Sequence, residues 1–145
     1  MGGVDVMDKL IDSIKHHEGC KLIPYQDTAG KMTIGFGRNL TDNGINLKEA
    51  EVLFQTDLAN AIEDFWKLPF SVILNCNADR RRVLVEMLYN MGLSKLLGFT
   101  KMIGALEASD FQLAADEMLD SKWAKQVGER SRRLANTMKT GVWWI

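Results

Sequence analysis

Between Asn46 and Pro69 the chain carries Leu47, Ala50, Phe54, Leu58, Ile62 and Phe65 at intervals of three and four residues, the spacing of one face of an α-helix. Asn46, with Glu49 three positions later, has the form of a capping box at its start, and Pro69 ends it by lacking an amide hydrogen. A helix over 47–66 is roughly 30 Å long, about as long as a small domain is wide. A chain of 145 residues can build one domain with a sizeable core, or two small lobes sharing such a helix.

The flanking segments differ in kind. Met7, Leu10, Ile11 and Ile14 predict an amphipathic helix over 5–18, closed by Gly19. Glu18 follows Ile14 by four residues and so extends the apolar stripe, where a carboxylate is unexpected. Residues 20–37 then change to Pro24, a turn at Asp27-Thr28-Ala29-Gly30, and period-two alternation from Lys31 to Gly37, which reads as a small hairpin. In that reading Met32, Ile34 and Phe36 share one face and Thr33 projects from the other. Thr41 to Gly44 reads as a loop. After Asn77, a predicted N-cap, the run from Val83 to Met91 is apolar nearly all round, which predicts a buried central helix ending at Gly92. Shorter helices are expected to start near Thr100, Asp110, Ser121 and Glu129, with Gly141 as the final stop.

Composition bounds the class. The chain is 46% hydrophobic and 26% charged with two prolines, the profile of an ordinary globule rather than a disordered segment. Net charge is −1, but residues 1–75 sum to −4 and residues 76–145 to +3; a basic half can attract an anionic polymer, cell wall or nucleic acid. Cys20 and Cys76 lack metal-type spacing and are expected to be free thiols. Charges interrupt every apolar run before Glu18, so neither a signal peptide nor a membrane anchor is expected there. His16 and His17 point about 100° apart on a helix and do not share a metal ion easily; no metal site and no cofactor are expected. The Met and Trp residues read as packing.

Glu18, Asp27 and Thr33 form the informative constellation. Glycoside hydrolysis typically uses one carboxyl group that stays protonated to donate to the leaving oxygen, and a second that stays ionised to position water or stabilise the sugar cation. An apolar helix face and the C-terminal end of a helix dipole both disfavour the charged form of Glu18, whereas Asp27 sits in a polar turn with backbone amides nearby. Taken singly, each also has an ordinary explanation: a helix terminus in water, a turn cap, a strand residue.

The wider string carries more. Glu18-Gly19, Tyr25-Gln26-Asp27-Thr28 and Gly30 to Gly37 resemble, in residue type and spacing, the active-site stretch of the phage T4 lysozyme family. Met91-Gly92, Gly98-Phe99-Thr100, Ser121-Lys122-Trp123, Arg130 to Arg133 and Thr140 to Trp143 continue the resemblance in order over nearly the whole chain.

It implies a mainly helical α+β, two-lobed lysozyme-like fold: a small antiparallel-sheet lobe over about 15–55, the long helix 47–66, and a helical lobe over about 67–145 on which helix 5–18 packs. It implies a muramidase acting on the β-1,4 bond between N-acetylmuramic acid and N-acetylglucosamine, with Glu18 as acid, Asp27 as second carboxylate and Thr33 holding water. Tyr89 and Asn90 would line the cleft, and Arg130 would reach the glutamate.

Two departures stand out. Arg38 replaces a frequent histidine and is expected to pair with Asp57, and the run Leu40–Asn46 is short, so the sheet lobe is small. The implied partner is the glycan strand of peptidoglycan. The chain is expected to be a monomer with no nucleic-acid partner and no stable membrane insertion. It would be made in the cytoplasm and reach the periplasmic wall through a holin or other delivery system. Rival readings are a lytic transglycosylase, which needs no Asp27/Thr33 pair, an inactive glycan-binding module, and a nucleic-acid binder using Arg80-Arg81-Arg82 and residues 122–139, unsupported by any binding motif.

Overall fold

The apolar spacing near the N-terminus does form a helix, α1 (Gly2–Glu18). Gly19 ends it at φ +67°, donating its amide to the Lys15 carbonyl at 2.9 Å. A computed structural model describes residues 2–144, with side chains from Asp5 onward. The chain divides into two units, Met1–Val52 and Leu53–Ile145.

In the first unit, strands β1 (Lys21–Gln26), β2 (Met32–Gly35) and β3 (Arg38–Asn39) form an antiparallel sheet in the order β1-β2-β3. Thr33 lies on the middle strand, opposite Tyr25 on one side and Asn39 on the other. It is the one buried side chain among the described residues of this unit, at 4% exposure. The alternation of residues 32–36 is therefore met with the opposite face covered, since Met32 and Phe36 are exposed. Residues 41–44, expected to be a loop, instead lie mainly in a single helical turn, α2 (Leu40–Asn43). Asn39 caps it by accepting from the Asp42 amide at 3.0 Å, a local bond that competes with an open loop.

Helix α3 (Leu47–Phe65) runs through the division between the units. Its capping box is formed on both sides: the Glu49 amide donates to Asn46 Oδ1 at 2.9 Å, and the Asn46 amide donates to Glu49 Oε1 at 3.2 Å. A short turn over residues 66–69 follows before α4 (Phe70–Asn75), a helix too brief to leave a periodic signal.

The second unit holds the core. Helix α5 (Ala78–Met91) starts at Asn77, whose side chain accepts from the Arg80 amide. It buries Val83, Leu84, Met87 and Leu88, each at most 3% exposed. Burying each such side chain contributes about 1.5–3 kcal/mol. The helix is central and buried on this face as expected, but not all round, because Tyr89 and Asn90 are exposed. Helices α6 (Leu93–Leu97), α7 (Thr100–Glu107), α8 (Phe111–Leu119), α9 (Lys122–Val127) and α10 (Glu129–Thr140) complete the unit. Helix α8 packs on α7 and α10, and α10 also packs on α5 and α9. Asp110 and Ser121 cap α8 and α9 as expected, and Gly141 ends α10 in the left-handed region. No helix among the described residues is long and apolar enough to cross a membrane.

Candidate active site

The turn between β1 and β2 fixes Asp27. Its Oδ1 accepts from the amides of Ala29 at 2.9 Å and Lys31 at 2.8 Å. The Asp27 amide donates to the Lys31 carbonyl at 2.9 Å, and the Asp27 carbonyl accepts from Gly30 at 3.0 Å. An aspartate oxygen bonded to amides two and four residues on is an Asx-type arrangement, and it holds the half-buried carboxylate in one orientation.

Thr33 follows on β2, and its hydroxyl donates to the Lys31 carbonyl at 3.0 Å. With its hydrogen committed, Oγ1 keeps lone pairs that accept from an incoming donor such as water. Asp27 and Thr33 are thus anchored to one residue, Lys31.

Glu18 is the last residue of α1 and its side chain is exposed. This corrects the expectation of a carboxyl group buried on an apolar stripe. The stripe itself is open, with Met7, Leu10, Ile11 and Ile14 between 40% and 55% exposed. The carboxylate lies instead against backbone: a Cβ built on Gly37 would come within 2.5 Å of Glu18 Oε2 and 3.0 Å of its Cδ. Beside it, Lys15 Nζ lies 5.2 Å from the centroid of the Phe36 ring. Sequence reasoning assigns Gly37 and Phe36 no role, although glycines at 35 and 37 within a strand-like run are a signal of close backbone approach.

Arg38 does not pair with Asp57 as expected. Its Nη1 lies 2.8 Å from Glu49 Oε2 and donates to the Gly44 carbonyl at 3.2 Å. Glu49 stands two turns earlier than Asp57 on α3, roughly 12 Å along the axis, and so faces β3 from the helix start. The Arg38 hydrogen bond holds the Glu49 carboxyl below its ordinary value, helped by the Asn46 amide.

Tyr89, Asn90 and Arg130 belong to the second unit. The Tyr89 ring lies 5.8 Å from that of Phe54. Both line a groove of about 900 Å³ with Ile62, Trp66 and Arg130. Arg130 Nε is ion-paired to Glu86 Oε1 at 2.9 Å, both side chains partly exposed. Asn90 Oδ1 accepts from Trp123 Nε1 at 2.8 Å, and these two line a separate groove of about 820 Å³ with Lys95 and Lys122. The neighbours Tyr89 and Asn90 therefore serve different recesses. Trp123 is packed, as expected of the tryptophans, but it also fixes the Asn90 amide. Cys20 is exposed, Cys76 is buried, and both are free.

Comparison with known proteins places these features in a class. The family model described as Phage lysozyme matches residues 15–139, and the chain belongs to that family. Its class is that of lysozyme-type glycosidases, which degrade peptidoglycan. Individual relatives agree. The chain is 29% identical to "Probable T4-type lysozyme 2" of Dictyostelium discoideum, over 94% of this chain and 97% of that protein. It is 27% identical to "Probable T4-type lysozyme 1" of the same organism, with the same coverage. It is 28% identical to "Pre-baseplate central spike protein Gp5" of Enterobacteria phage T4, over 91% of this chain but 28% of that protein.

Proposed function

We propose that the chain is a muramidase that hydrolyses the β-1,4 bond between N-acetylmuramic acid and N-acetylglucosamine, with Glu18 as proton donor. Asp27 is the second carboxylate and Thr33 holds the attacking water. One observation carries the assignment: two carboxylates in the same unit have contrasting settings. Asp27 is held by two backbone amides, which fix its carboxylate in one orientation. The Glu18 side chain makes no hydrogen bond or ion pair among the described residues and rests against the Gly37 backbone, leaving its oxygens open to a glycosidic oxygen.

Hydrolysis is favoured over the lytic transglycosylase reaction because Thr33, with its hydrogen committed to Lys31, is set to accept from water. Transglycosylation needs neither Thr33 nor Asp27. The family resemblance favours inversion at the anomeric carbon. Tyr89 and Asn90 contact the glycan strand in this reading, and Arg130 supplies supporting charge. The protein acts as a monomer, without cofactor, on the periplasmic wall after release from the cytoplasm by a holin or other delivery system.

NMR and mass analysis of digested peptidoglycan test bond, reaction and anomer together. The expected product is a reducing N-acetylmuramic acid end carrying one added water. An anhydro sugar instead would establish transglycosylation. Glu18→Gln should abolish clearing in a peptidoglycan zymogram, and undiminished clearing removes Glu18 as the acid.

A further inference from the structure

Eight described glycines have positive φ, and for most of them the backbone angle alone is reason enough: Gly19, Gly30, Gly35, Gly44, Gly92 and Gly128 would each place a Cβ in open space. Gly37, at φ +79°, is different. Its missing side chain is the space that Glu18 occupies, with Oε2, Cδ and Cγ at 2.5, 3.0 and 3.5 Å from the position of an added Cβ. Any L-residue there forces the carboxylate, the mobile end of the glutamate, to move away. The preceding residue acts on the same helix turn: the Phe36 ring lies under the ammonium of Lys15, 5.2 Å from its centroid, one turn before Glu18. A cation over a ring face is attracted to it, so the last turn of α1 is fastened to the residue beside the glutamate's seat.

We infer that Gly37 and Phe36 are positioning residues for Glu18, Gly37 by providing the surface on which the carboxylate rests and Phe36 by holding Lys15. The inference depends on Glu18 being the proton donor proposed above. A general acid must stand within hydrogen-bond reach of its oxygen, and a shift of about 1 Å can cost about a hundredfold in rate. Displacement of the carboxylate should therefore act on kcat, while KM, set by contacts to the rest of the glycan, should change little.

The experiment compares Gly37→Ala with Gly35→Ala on soluble peptidoglycan fragments. Gly35 has a similar φ of +67° and open space around an added Cβ, so its variant carries the backbone penalty without the collision. Both should lose thermal stability to a similar extent. Gly37→Ala alone should lose about tenfold to a hundredfold in kcat, with KM within about twofold of wild type. Phe36→Leu leaves the turn's φ pattern intact and should lower kcat about two- to fivefold; it decides the question if Gly37→Ala does not fold. Equal kcat in Gly37→Ala and Gly35→Ala, or in Phe36→Leu and wild type, overturns the corresponding role. Glu18→Gln separates the two levels: if it is inactive while these variants are normal, only the positioning inference falls, and if it is active the proposed acid falls with it.

Discussion

Arg38 and Glu49 are joined by an ion pair of 2.8 Å that ties β3 to the first turn of α3. Glu49 Oε1 accepts both from Arg38 Nη1 and from the Asn46 amide, so pair and capping box share one carboxylate. Its folded-state pKa lies below the ordinary value of 4.5. The resulting stability is present above the unfolded carboxylate's pKa and is lost as pH falls through the folded one. Arg38→Ala should be less stable than wild type in urea denaturation at pH 7, and the two should converge at acid pH. A constant difference across that range would show that the charge pair is not the cause.

Thr33→Val keeps the shape of a buried side chain but removes the hydroxyl. The Lys31 carbonyl still accepts from Asp27, so the stability cost should be about 0.5–1.5 kcal/mol. Wall-lytic activity should fall far more than that cost explains, and Thr33→Ser should recover part of it. Lysis assays alongside thermal melts check this.

The Trp123 side chain is buried, and its Nε1 donates to Asn90 in a part-buried hydrogen bond. Asn90→Ala leaves that donor without a partner, at a cost of about 1–3 kcal/mol. Trp123→Phe in the same background should remove most of the penalty, which a double-mutant cycle measures as a coupling between the two positions.

The start of α5 clamps the end of α10. Arg80 donates from Nε to the Met138 carbonyl at 2.7 Å and from Nη2 to the Lys139 carbonyl at 3.1 Å, with its guanidinium 3.5 Å from the Phe111 ring centroid. Asn77 reaches the Gly141 carbonyl and Asp79 accepts from the Trp143 amide. Arg80→Ala should cost about 2–3 kcal/mol and speed amide exchange in the last turn of α10. Lysine should recover little, since it lacks the planar fork.

The two thiols should separate kinetically. Cys20 should react at once with a thiol reagent under native conditions, and Cys76 only as fast as the protein opens. Burial pushes the Cys76 thiol up. As pH rises above the unfolded thiol's value the unfolded chain ionises first, so stability falls in that alkaline window. Cys76→Val should flatten that part of the stability profile.

Much of the fold was legible because its signals are local. Asn46 with Glu49, Asn77, Asp110, Ser121 and Gly141 each mark a helix end through one side chain or one φ angle, and each acts where it was expected. Helices α4 and α6 are too short for a period to emerge, and α2 is built of residues that also make loops. Alternation along residues 32–36 showed which side chains share a face but not which face is covered, since that depends on what the sheet meets. Likewise the sequence offered Arg38 a carboxylate on α3, yet only the direction of the helix start selects Glu49 over Asp57. At the candidate site the ionisable residues were visible as letters. Gly37 was not visible as a participant, because its contribution is an absence of atoms.

Asp27 illustrates what folding of the β1–β2 turn accomplishes in advance. Both amide bonds fall on Oδ1, which pins the side-chain torsions and leaves the bearing of Oδ2 settled. The freezing of that rotor is completed as the turn forms, so an approaching solute meets an oxygen that has no further freedom to surrender.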